Sequence, residues 1–236
     1  MLEQIADDVW VVGHDLFTFG IHFPGRMTVV RLSDGGLWLH SPVPVDDALA
    51  DALAALGPVE HLVAPNLFHH VHLPGVRARY PEAKLWGAPG LADKRKDLAF
   101  DGELGDEAPE AWAGDLLQIN LRFMPKLGEV VFFHEASATL VVTDLFMNVH
   151  ECKGLLSQLV YRLEGAYRRM GVPRLFRFLT ADRALAAATA ARIVALQPST
   201  VIMAHGRIVH EQAGNQVARA LSLWSPARAL PSRASA

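Results

Sequence analysis

Three apolar segments of this chain end in residues of the kind that ligate metals or carry protons, so the fold must be one that can gather those ends. Leu62-Val63-Ala64 runs into Asn66, His69 and His70; residues 139–143 run into Asp144; Val201-Ile202-Met203-Ala204 runs into His205-Gly206. Each apolar run is short and bounded by turn residues, which reads as a buried strand. Strands aligned in one direction place their ends on one sheet edge. Imidazoles and a carboxylate distant in sequence can then surround one ion, a set that suits zinc, iron or manganese. A lone Asp after a strand is ordinarily a turn or helix cap, and a His before Gly is often no more than that. The repetition carries the inference.

The rest of the chain supplies the elements such a fold needs. Residues 9–12, 27–32 and 37–40 read as strands, the last two joined by a Ser33-Asp34-Gly35-Gly36 hairpin turn. Leu49, Leu53 and Leu56 then fall at i, i+4, i+7 between an acidic start and Gly57-Pro58, an amphipathic helix with its stop signal. After the histidine loop come a short helix to Tyr80, a strand at 84–86 and a turn at Ala88-Pro89-Gly90. Strands are expected at 116–123, 129–133 and 139–143, with short connections that make them antiparallel neighbours. Helices follow at about 155–170 and 182–196, then a strand at 200–203 and a last helix carrying Val209, Ala213, Val217 and Leu221. Two runs of strands, each followed by helices, predict layered sheets with helices on the outer faces. Residues 225–236, rich in Pro, Ser, Ala and Arg, are expected to be a disordered tail.

Composition narrows the partners. With 51% hydrophobic residues in 236 and a formal net charge of −3, the chain has material for a large core and no general footprint for nucleic acid. One cysteine, Cys152, excludes an intrachain disulfide and a thiolate cage. The acidic first ten residues lack the pattern of a secretory signal, and no apolar run is long enough to span a bilayer, so a cytoplasmic protein without a membrane partner is expected.

These segments, in this order, resemble the metallo-β-lactamase superfamily, whose fold is shared by ribonuclease Z and hydroxyacylglutathione hydrolase. Thr143-Asp144-Leu145-Phe146 is similar to that family's metal-bridging aspartate segment, and Ala204-His205-Gly206 to its terminal metal histidine. Ser41-Pro42-Val43, Pro65-Asn66-Leu67-Phe68-His69-His70 and residues 132–140 resemble an uncharacterised subgroup, a domain of unknown function. The resemblance implies an α/β fold of the four-layer αββα sandwich type, as one domain over residues 1–224. It also exposes departures: Asn66 and Phe68 stand where the family has its first two loop histidines, and residues 125–128 lack the family's middle histidine. Neither amide nor phenyl replaces an imidazole on a divalent ion, so a dinuclear site is not expected.

The resulting expectation is a mononuclear site of His69, His70, Asp144 and His205 for one zinc or iron ion, or none. His69, His70 and Asp144 are the candidate catalytic groups, and Asn66 and His134 are the candidates for touching substrate. The leading function is hydrolysis of a small-molecule ester, thioester, lactone or phosphoester. The alternatives are a degenerate ligand-binding or scaffold protein without metal, and a mononuclear iron oxidoreductase on the same fold.

Overall fold

The structure is a computed structural model that describes residues 1–224; the expected tail lies outside the described residues. The chain opens with β1 (Leu2–Ala6), β2 (Val9–Thr18), β3 (Ile21–Arg31) and β4 (Leu37–His40), followed by α1 (Asp47–Ala54), β5 (Val59–Ala64), α2 (Leu73–Arg79), β6 (Lys84–Gly87), α3 (Leu91–Lys94) and β7 (Gly102–Glu103). Its second half runs β8 (Leu116–Asn120), β9 (Val130–His134), β10 (Thr139–Asn148), α4 (Leu155–Glu164), α5 (Arg174–Phe178), α6 (Arg183–Ala195), β11 (Thr200–Gly206) and α7 (Ala213–Leu221). The first seven strands form one sheet in chain order, antiparallel through β4 and parallel thereafter. The other four form a sheet ordered β11-β10-β9-β8, in which only β10 and β11 are parallel.

The pleat explains why the chain is so rich in apolar residues. Successive side chains of a strand point to opposite faces, and here both faces of both sheets are covered. Between the sheets lie Val11, Trp38 and Val63 from the first and Phe132, Val141 and Ile202 from the second. Their immediate neighbours point outward: Val12, Leu39 and Leu62 join Leu53 of α1 and Val76 of α2. Val131, Val142 and Met203 join Ala190 of α6 and Val217 of α7. The result is the expected αββα order of layers.

Local chemistry corrects several boundaries. The helix expected to reach residue 170 stops at Glu164, because Gly165 takes a left-handed φ of 74° and caps it. Val209 pairs with Val201 in an isolated bridge and does not belong to α7. β10 runs five residues past the expected end at Thr143, because Met147 and Asn148 resume pairing with β11.

His40 ends β4 inside the inter-sheet core, 1% exposed. It stacks on Trp38 at 5.3 Å, and Phe132 meets its ring edge-on at 5.5 Å. Burial, with a smaller contribution from the charge of His69, pushes its imidazole from 6.5 down to about 3. The unfolded chain therefore binds a proton that the native one excludes, so this contribution to stability is complete above pH 6.5 and shrinks as pH falls toward 3. We expect His40 alone to lower the unfolding free energy by about 1.5 kcal/mol between pH 6.5 and pH 5. Urea titrations should show this as a steeper acid slope for the wild type than for His40→Phe; parallel slopes would exclude a neutral, buried His40.

Candidate metal centre

Four strand ends build the site. Beyond β4, Ser41 takes a left-handed φ of 56° and its hydroxyl lies 2.6 Å from His69 Nδ1. Beyond β5 the chain turns at Asn66, whose Oδ1 accepts the N–H groups of Phe68 and His69, both at 2.8 Å. This side-chain turn aims the His69 ring. Asp144 lies within β10, and His205 lies near the end of β11.

A bulge in β10 presents Asp144. Val142 pairs with Met203 and Met147 with His205, so five steps along β10 match two along β11. The extra residues bow out and take their N–H groups off the ladder. Glu129 collects them: its Oε1 accepts from Thr143 N at 2.8 Å, and its Oε2 accepts from Asp144 N and Leu145 N, both at 2.9 Å. Glu129 is fully buried. Burial first and the neighbouring Asp144 charge second push its carboxyl up to about 8, against the opposing effect of the backbone donors.

Asp144 sits between two imidazoles. Its Oδ2 is 3.4 Å from His69 Nε2 and its Oδ1 is 3.3 Å from His205 Nε2. One ligand atom from each of the three residues can be chosen so that all lie within 4.8 Å of one another. His205 Nδ1 lies 3.0 Å from the carbonyl of Pro24. Because that oxygen can only accept, Nδ1 carries a proton, which turns Nε2 toward the Asp144 carboxylate. The Ser41 hydroxyl, which can donate or accept, engages His69 Nδ1 and likewise turns its Nε2 toward Asp144. Such backing of each imidazole through its second nitrogen is the usual support for metal ligation. A tetrahedral ion with bonds of 2.0–2.1 Å separates its ligands by about 3.3–3.4 Å, and each Nε2 keeps that spacing from a different oxygen of the Asp144 carboxylate. In residue types and in spacing the three donors suit a single ion. The carboxylate is only 3% exposed. Burial raises the Asp144 carboxyl, but the His69 charge and the hydrogen bonds from His205 and His69 outweigh it and hold the group well below the ordinary range.

The other candidates go elsewhere. His70 does not join the cluster: its Nδ1 lies 2.8 Å from Arg95 Nη1, because the Asn66 turn aims only His69 inward. Asn66 has no capacity left for a substrate. Besides its two accepted bonds, its Nδ2 donates to Thr143 Oγ1 at 2.9 Å and to Asp144 Oδ2 at 2.8 Å, which uses both amide hydrogens. His134 pairs with Thr139 at the start of β10, the far end of the strand from Asn148, and bonds the Ser137 hydroxyl at 2.7 Å. Its position there excludes contact with a molecule at Asp144. Residues 125–128, where a middle histidine is absent, contribute a backbone contact only: the Leu127 carbonyl accepts Leu67 N–H. Sequence reading missed Glu129, Ser41 and Pro24. A carboxylate at the head of the apolar run Val130-Val131-Phe132-Phe133 was the available signal for the first; Ser41 stood in the Ser41-Pro42-Val43 segment that carried the resemblance, without a role, and nothing local marks Pro24.

Replacing Glu129 by Gln puts an amide NH2 where an acceptor oxygen receives backbone N–H groups. We expect Glu129→Gln to cost roughly 2–4 kcal/mol in urea unfolding, against under about 0.5 kcal/mol for the exposed Glu135→Gln. Equal small effects would show that Glu129 does not hold the bulge.

A profile for a domain of unknown function (DUF4336) matches residues 6–92. No curated protein matches. Among solved structures, a metallo-β-lactamase from Pontibacter korlensis is similar at 15% identity, covering 94% of this chain and 98% of its own, with a TM-score of 0.62. One from Erythrobacter litoralis, solved with β-mercaptoethanol in the active site, is similar at 12% identity, 94% and 96% coverage and a TM-score of 0.65. The metallo-β-lactamase FIM-1 from Pseudomonas aeruginosa, in its mono-zinc form, is similar at 13% identity, 96% coverage of both chains and a TM-score of 0.61. At such identities the likeness speaks to architecture, and the architecture agrees over nearly the whole of each chain: this protein has the metallo-β-lactamase fold.

Proposed function

We propose that residues 1–224 act as one metallo-β-lactamase-like domain that holds a single zinc or iron ion on His69, Asp144 and His205 and hydrolyses a small-molecule ester, thioester, lactone or phosphoester. The observation that carries this reading is the pair of imidazoles with Nδ1 engaged from behind and Nε2 turned on one buried carboxylate at ligand–ligand spacing. When bound, such an ion supplies Lewis acidity and lowers the pKa of water. The chain's own residues do the rest. Asp144 contributes the negative charge, Asn66 fixes one of its oxygens, and Ser41 and Pro24 set the imidazoles. Phe23, 5.8 Å from the His205 ring, and Tyr161, 6.2 Å from Phe23, give that side an aromatic cover that limits water.

A second reading, a metal-free scaffold, is favoured by one observation: Asp144 already receives an N–H from Asn66 and faces both imidazoles, so the network is satisfied without an ion. Elemental analysis of protein purified without a histidine tag separates the two. We expect no more than one equivalent of metal, and a zinc-induced rise in thermal midpoint that Asp144→Asn and His205→Ala lower by at least about tenfold in apparent affinity, because no neighbouring group replaces the lost ligand. Two equivalents would refute the mononuclear reading. No metal, with no thermal response to zinc, iron or manganese, would establish the scaffold.

A further inference from the structure

Helix α4 is amphipathic the wrong way round. Its inner face is anchored by polar groups: Ser157 Oγ accepts the His22 N–H at 2.9 Å, and the Tyr161 hydroxyl donates to the His22 carbonyl at 2.8 Å. Its outer face carries Leu155, Leu156, Leu159 and Leu163, all exposed, at helical spacing. The face continues onto neighbouring elements. At the β2–β3 tip, Phe17 and Phe19 are exposed; the Lys153 ammonium lies 5.7 Å from the Phe17 ring, and the tip's Gly20 packs near Leu156. On the other side, Glu164 of α4 accepts the Leu175 N–H of α5, where Leu175 and Phe178 are again exposed. An apolar surface assembled from three elements is a place where something binds.

Charge and shape indicate the occupant. Residues 150–180 hold six Lys and Arg against two Asp and Glu, in a chain whose formal net charge is −3. The cations are interleaved with the apolar side chains: Arg162 beside Leu163, Arg174 beside Leu175, Arg177 beside Phe178, all exposed. Lys153 is paired with Asp15 at 2.6 Å, but a second copy of the chain across a two-fold axis would still set a predominantly cationic rim against itself. A groove-seeking peptide also fits poorly. Phe19, Phe178 and Leu155 are 95%, 86% and 83% exposed and so stand clear of any wall, and none of the apolar side chains of this face lines the cavities of 780 and 410 Å³, which take from its cations only Arg168, Arg169 and Arg177 in the first and Lys153 in the second. No helix among the described residues is long and apolar enough to cross a membrane. Protruding apolar side chains interleaved with cations are what an interfacial surface needs to lie on a bilayer without crossing it.

We propose that the α4–α5–hairpin face docks onto an anionic lipid surface. This proposal goes against the sequence-based expectation of no membrane partner. Flotation with vesicles of phosphatidylcholine containing about one-third phosphatidylglycerol, compared with pure phosphatidylcholine at about 0.15 M salt, tests this. The wild type should partition onto the anionic vesicles at least about tenfold more strongly than onto neutral ones. The combined Leu155→Gln, Leu159→Gln and Leu163→Gln variant should lose binding with an unchanged thermal midpoint, and Arg162→Glu with Arg174→Glu should weaken it independently of the leucines. Asp144→Asn should float like the wild type, which separates this proposal from the metal reading. Absence of flotation, equal binding to neutral vesicles, or a dimer in sedimentation velocity that the leucine variant dissolves while vesicles stay unbound would each overturn it, the last in favour of a second copy.

Discussion

The Glu129 carboxyl group, buried at the head of β9, holds three consecutive N–H groups of a β10 that has left its ladder. Without that grip the bulge would expose unpaired donors in an apolar interior, each at a cost comparable to a lost hydrogen bond. With it, β10 advances five residues while β11 advances two, and Asp144 arrives beside His205. The clustering of donors that defines the site follows from this one interaction between a side chain and a backbone.

The same edge ties the two sheets together. Val130 N donates to the Pro65 carbonyl and Leu67 N to the Leu127 carbonyl, so the loop after β5 is bonded to the segment that carries Glu129. Asn66 adds the side-chain link across to Thr143 and Asp144. A residue that cannot substitute for an imidazole on a metal has become the clamp that orients one. Fold and chemistry separate here. The metallo-β-lactamase architecture extends over nearly the full chain, while the candidate donors gathered among the described residues are three.

On the opposite side of the cluster, α4 connects two surfaces of different character. Its Tyr161 faces Phe23, which in turn meets His205, while its leucines face outward. Polar anchoring explains why the helix stays in place with its apolar stripe unburied: the hydrogen bonds to both backbone groups of His22 fix its rotation where hydrophobic burial would have reversed it.

The order of layers, the strand ends that matter, and the pairing of Asp144 with His205 were legible in the sequence. They rest on periodicity and on short polar segments after apolar runs, and those patterns are local. The absence of a middle histidine was equally plain. Which of two adjacent histidines turns inward was not, because His69 and His70 differ only in which N–H the Asn66 side chain captures. His134 was expected to touch substrate, but an antiparallel pairing carries the end of β9 to the start of β10, away from Asp144. Glu129 looked like an ordinary strand start, and α4 like an ordinary helix. Their roles depend on groups distant in the chain, the unpaired N–H groups of a bulge for one and the backbone of His22 for the other, and only tertiary packing decides which backbone groups are left needing a partner.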